Sequence, residues 1–244
     1  MSSVIDPILT SSRRARRTRT ALLWAAAVTL VLYAVPFGNW VLYPLMLLST
    51  FVHEMGHGMA AVALGGDFLY FKLWSDGSGV AAFSGAFGAF GRAMTSGGGL
   101  LGPAILAAVL FLAGRHARTA TAALTILAIV CVIADVMVVR NIFGFAYVAV
   151  LAAVLGFTAR RAPPDVAQAA VVFLAIQLCA SVFSRGDYLF TQMASTGGGL
   201  LPSDTEQIAQ ALGGPYWFWG AVVAAISLAV LGFGLTAFWR SLKT

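Results

Sequence analysis

The sequence predicts an all-α polytopic membrane protein, and three observations carry that prediction. Of 244 residues, 60% are hydrophobic and only 10% are charged. A soluble domain carries roughly 25% charged residues, so an ordinary cytoplasmic globule is excluded. Mean hydropathy is +0.89. Seven apolar stretches run through the chain, separated by Gly, Pro and Arg clusters. At about 20 residues per crossing they predict six or seven transmembrane helices. The expected organisation is a basic segment, residues 1–19, followed by a single integral membrane domain, residues 20–244.

In order along the chain, Arg13, Arg14, Arg16, Arg17 and Arg19 precede the first apolar stretch, Ala21–Val35. Such a cluster reads as a cytoplasmic flank beside anionic lipid, with the N-terminus in the cytoplasm. No aromatic residues interleave it, so no nucleic-acid partner is expected. No A-x-A cleavage site follows, so the stretch suits an uncleaved first span. The second stretch is Val41–Leu64. Between Gly66 and Gly97, Phe68–Trp74 is strand-like, Asp76-Gly77 is a hairpin turn, and Gly79–Phe83 can return as a second strand. This is either a β-hairpin near residues 68–83 dipping into the membrane, where its backbone would be buried in protein, or a simple loop. Gly97–Gly99 reads as a connector ahead of Leu100–Ala113. Ala120–Val139, Ile142–Phe157 and Val166–Phe183 follow. A polar stretch, Ser184–Gly214, then leads to Pro215–Phe238. Within it, Ser203 or Asp204 is an N-cap for a short helix Thr205–Leu212. The basic residues at 115, 118, 160, 161, 240 and 243 assign their connectors to the cytoplasm, which requires the region between Gly66 and Gly97 to cross or re-enter the membrane. Cys131 and Cys179 lie in apolar stretches, as small packing residues do.

Chemistry concentrates in His53-Glu54-Met55-Gly56-His57, in the middle of the second stretch. Two histidines four apart share one face of a helix, the spacing that lets two imidazoles hold a zinc ion. Glu54 then stands beside the metal as a general base and acid. Ionisable groups near the centre of a span cost about 2.5–3.5 kcal/mol each. Bound structural zinc, on the order of 10–16 kcal/mol in peptide systems, is large enough to offset that. A metal or proton transporter would need a track of such groups across the membrane. The sequence offers one cluster, while a non-catalytic scaffold retaining a metal site stays open as an alternative.

These residues resemble the site-2 protease family of intramembrane zinc metalloproteases, in particular compact bacterial members without a PDZ domain. The resemblance rests on His53–His57 within a span, the Gly65-Gly66 that ends it, the Asp76-Gly77-Ser78-Gly79 turn, and Gly98-Gly99-Leu100-Leu101-Gly102-Pro103. It continues in Arg140-Asn141 and in Ser203–Ala209 ahead of Pro215–Trp219. It implies a hydrolase of peptide bonds in membrane-embedded protein or peptide substrates, with Zn2+ as cofactor, in a bacterial plasma membrane. It also implies a third zinc ligand from an Asp in a later helix, usually within Leu-Asp-Gly, a tripeptide this sequence lacks. Asp135, Asp187 and Asp204 are the candidates. Asp135 can instead pair with Arg140. Asp187 is set slightly ahead of Asp204, because it ends a helix expected to shield the site whereas Asp204 can serve as a helix cap. Asn141 is a candidate oxyanion donor or a cap for the helix after it. His116 reads as a surface residue. The sequence specifies neither the substrate nor an oligomeric state.

Overall fold

A computed structural model describes the backbone of residues 5–35, 37–184 and 186–241. The side chains of Arg13, Arg14, Arg17 and Asp187 lie outside the described residues. The first helix, α1 (Ile5–Ala34), carries the basic run and the first apolar stretch without a break. Its Arg, Ala and Leu residues are strong helix formers and no Gly interrupts them. Helix α2 (Gly38–Ala63) contains the whole His53–His57 motif and ends where Gly65 takes φ +80°, a left-handed exit that a residue without Cβ accepts readily.

The expected hairpin is present as β1 (Asp67–Leu73) and β2 (Gly79–Ser84), paired antiparallel with a register shift between Phe68 and Tyr70. Its turn is built by Gly77 at φ +86° and by the Asp76 carboxylate, which accepts from the Ser78 N–H at 2.8 Å and the Ser78 hydroxyl at 2.6 Å. Those two bonds hold the Asp76 carboxyl below the usual carboxylate range. Two α2 side chains fasten the turn. The Tyr43 hydroxyl donates to Ser75 O at 2.7 Å and the Thr50 hydroxyl to Gly77 O at 2.7 Å.

Helix α3 (Ala89–Ala113) overturns the connector expected at Gly97–Gly99, which lies in its interior. The physical reason is close helix packing against α2. A Cβ on Gly56 would stand 2.3 Å from Gly98 O, and one on Gly102 would stand 3.0 Å from Val52 O. Glycine weakens an isolated helix, but between membrane helices it lets two backbones touch. Beyond α3, α4 (Ala117–Met137) and α5 (Ile142–Arg161) pack on one another, and α4 packs on α6 (Pro164–Ser184).

A 3-10 turn (Gly186–Phe190), a second hairpin of β3 (Met193–Thr196) and β4 (Gly199–Pro202), α7 (Asp204–Leu212) and α8 (Tyr216–Arg240) complete the chain. The polar stretch before α7 therefore holds an unforeseen hairpin, and α7 stands where the short helix was expected. Helix α3 is central, touching α2, α6, α7 and α8. The core around it includes Leu47, Phe51, Phe71, Leu110, Leu124 and Phe238. Among the described residues, five helices are long and apolar enough to cross a membrane: α3, α4, α5, α6 and α8. On their outer faces Val136, Val150, Phe157 and Phe233 each expose more than half of their surface, a covering suited to lipid.

Candidate metal centre

The α-helical repeat of α2 brings His53 and His57 to one face, their rings edge-on with centroids 4.7 Å apart and their Nε2 atoms 3.1 Å apart. From the far end of the chain, Asp204 reaches the same point. Its Oδ2 stands 3.0 Å from His53 Nε2 and its Oδ1 3.4 Å from His57 Nε2. Four ligands placed tetrahedrally at zinc bond lengths of 2.0–2.1 Å stand about 3.3 Å from one another. Each imidazole thus already stands at about that spacing from the other and from one carboxylate oxygen, one donor atom per residue lies within 4.8 Å of the others, and His, His and carboxylate are a set zinc accepts.

Surrounding groups orient these donors. His57 Nδ1 lies 2.9 Å from Thr95 O. A carbonyl only accepts, so Nδ1 carries the hydrogen in the neutral ring and Nε2 is left with a free lone pair. Gly99 makes room for that ring, since a Cβ there would stand 2.3 Å from His57 Cε1 and Nε2. The competing role for Asp204 is taken by its neighbour. Ser203, fully buried, caps α7 by accepting from the Glu206 N–H at 3.2 Å and donates to Thr191 O at 2.6 Å. The Asp204 carboxylate is thereby released towards the histidines. Burial alone would raise its pKa, but the charges and hydrogen bonds of His57 and His53 outweigh burial and hold it below the usual range. The Tyr188 hydroxyl donates to Asp204 Oδ2 at 3.2 Å.

Glu54 is 4% exposed. Its carboxylate shares a cavity with Ala81 of β2 and lies against Gly79, where a Cβ would stand 2.7 Å from Glu54 Oε1. Two cavities, of about 420 and 390 Å³, meet here, and both are lined by His53, Glu54, Gly79, Tyr188, Ala194 and Thr196. One continues past Met46 and Thr50, the other past Phe83 and Gln207. The second hairpin closes over the first, with the Gly197 N–H donating to the Ser78 hydroxyl oxygen at 2.9 Å.

Other sequence candidates fall elsewhere. Asp135, buried in α4, lines a separate groove. The expected Asp135–Arg140 pair is replaced by bonds from the Arg140 guanidinium to backbone carbonyls, among them Val139 O at 2.7 Å. Asp187 sits in the 3-10 turn, and its side chain is outside the described residues. Asn141 neither faces Glu54 nor caps α5 with its side chain. Its amide instead pairs with β1 like one more strand residue, Nδ2 donating to Leu73 O at 2.6 Å and Oδ1 accepting from Leu73 N at 3.1 Å. Thr95 and Tyr188 carry no motif, and Gly99 stands out only within the Gly98–Pro103 stretch; the fold brings all three to the centre.

Two histidines one turn apart on a membrane-protein helix, a glutamate between them and a converging aspartate define a metallopeptidase type of centre. The profile of the Peptidase M50B-like family matches residues 19–234, and the chain belongs to that family, the site-2 protease family. Membership implies an integral membrane metalloprotease. No curated protein and no solved structure matches the chain.

Proposed function

We propose that the chain is an intramembrane zinc metalloprotease that hydrolyses peptide bonds of membrane-embedded protein or peptide substrates. His53, His57 and Asp204 hold the metal, and Glu54 is the general base and acid. The observation that carries this reading is the convergence of Asp204 on the two Nε2 atoms beside Glu54. Zinc held there supplies a Lewis acid that polarises a peptide carbonyl and acidifies water towards neutrality. Glu54 takes the proton from the attacking water and returns it to the amide nitrogen as the C–N bond breaks.

The substrate must arrive unwound, because a helix hides its carbonyls in intrahelical bonds. The alternation of an antiparallel pair supports β2 as the strand that holds it. Phe71 directs its N–H and C=O away from β2, to Val138 O at 2.8 Å and Arg140 N at 3.0 Å. Its partner Ala81, and Gly79 two residues before it, therefore turn their own polar groups away from β1, along the open edge of a hairpin that shares its cavity with Glu54. A peptide added along β2 lies across the centre. In this reading α2 also spans the bilayer, giving six or seven crossings, and the N-terminus is cytoplasmic.

Zinc content of detergent-purified protein tests the site. About one zinc per chain is expected in the wild type, in Glu54→Gln and in Asp187→Ala, and none in His53→Ala or Asp204→Ala. Peptide cleavage by Glu54→Gln should fall by about 10²–10⁴-fold with zinc retained. A folded wild-type protein that takes up no supplied zinc overturns the proposal.

A further inference from the structure

Away from the metal centre, α4 and α5 enclose a groove of about 770 Å³. Small residues floor it, Ala149, Ala153 and Gly156 falling on successive turns of α5, a surface that admits close approach of another helix. At one end lies Asp135, 7% exposed, and among the described residues its Oδ1 has no hydrogen-bond partner. At the other end stand Arg160 and Arg161. From Phe145, near Asp135, to Arg160 the groove runs about 22 Å along α5.

A buried carboxylate oxygen left without a donor costs about 1–3 kcal/mol or more, and in a bilayer no water is at hand to satisfy it. A lipid chain would cover the apolar floor but offers Asp135 nothing. A helix with a cationic side chain satisfies the acid, fits the floor and matches the charge at both ends. We propose that the α4–α5 groove is a docking site for the transmembrane helix of a partner protein, carrying Lys or Arg opposite Asp135 and an acidic residue opposite Arg160 and Arg161. The docked helix would sit three residues from Val138, whose carbonyl holds β1, so the partner borders the element that supports the proposed substrate strand.

The test uses the full chain in phosphatidylcholine vesicles with a photoreactive benzoylphenylalanine in place of Phe145, which lines the groove, or of Phe233, which is exposed on α8. The probes are two Leu/Ala transmembrane peptides of about 22 residues. Each has a Glu near one end, and they differ only in a Lys or a Leu about 15 residues away. At position 145 the Lys peptide should crosslink at least tenfold more than the Leu peptide, with no such preference at position 233. Asp135→Leu should abolish the excess, and Asp135→Lys should transfer it to a peptide carrying Asp in place of Lys. Equal crosslinking of both peptides to the wild-type chain would overturn the proposal without reliance on any variant. So would a predominant adduct with lipid or with a second copy of the chain, or an excess that survives Asp135→Leu.

Discussion

Asp204 and Asp135 are both buried acids, and their surroundings treat them oppositely. Asp204 meets two imidazoles and a phenol within 3.4 Å, on a helix whose cap is supplied by Ser203. Asp135 has an oxygen with no donor among the described residues and apolar neighbours along its groove. The α2–α3–α7 half is thus internally complete and needs only an ion, whereas the α4–α5 half is polar in one place that its own fold leaves unanswered. Both halves bury an acid, but only in the first do the chain's own side chains surround it.

Replacing the two acids should separate the halves most sharply. Asp204→Leu leaves the histidines facing one another and should destabilise the protein by about 3–5 kcal/mol. Asp135→Leu removes an unanswered group and should be neutral or stabilising by about 1–3 kcal/mol. Thermal unfolding in detergent reads both, and equal destabilisation would erase the distinction. Gly99→Ala comes next. Its Cβ must displace the His57 ring, at a cost of about 1–3 kcal/mol, and should weaken zinc binding at least tenfold in a chelator competition. An Ala104→Gly control on the same helix should leave that affinity unchanged. The smallest effect is expected from Tyr188→Phe. Losing one hydrogen bond to Asp204, about 0.5–1.5 kcal/mol, should weaken zinc less than about tenfold in the same competition.

Local spacing made part of this centre legible. His53, Glu54 and His57 belong to one helix, so a four-residue period suffices to find them. The first hairpin was legible for the same reason, since Asp76-Gly77 announces a turn between two strand-like runs. Asp204 could be named only as one of several acids, because its route back to α2 passes through a hairpin whose strands are four residues each, too short for alternation to stand out. Gly97–Gly99 misled for another reason. A rule learned from helices in water assigns glycine to turns, while here the contact with Gly56 decides. Asn141 was visible as a polar residue at a helix start, but its partner is Leu73, 68 residues away, and no local pattern reports that pairing.

The side of β1 away from β2 has a consequence for how the molecule keeps company in a crowded bilayer. A two-stranded sheet ordinarily offers two open flanks, either of which can capture a passing extended chain and seed aggregation. Here one flank is sealed from within, by Phe71 bonding to Val138 and Arg140 and by the Asn141 amide standing in for a missing residue at Leu73. Misdirected recruitment is thereby blocked along β1. Any foreign strand that this sheet takes up must join on the flank that Glu54 overlooks.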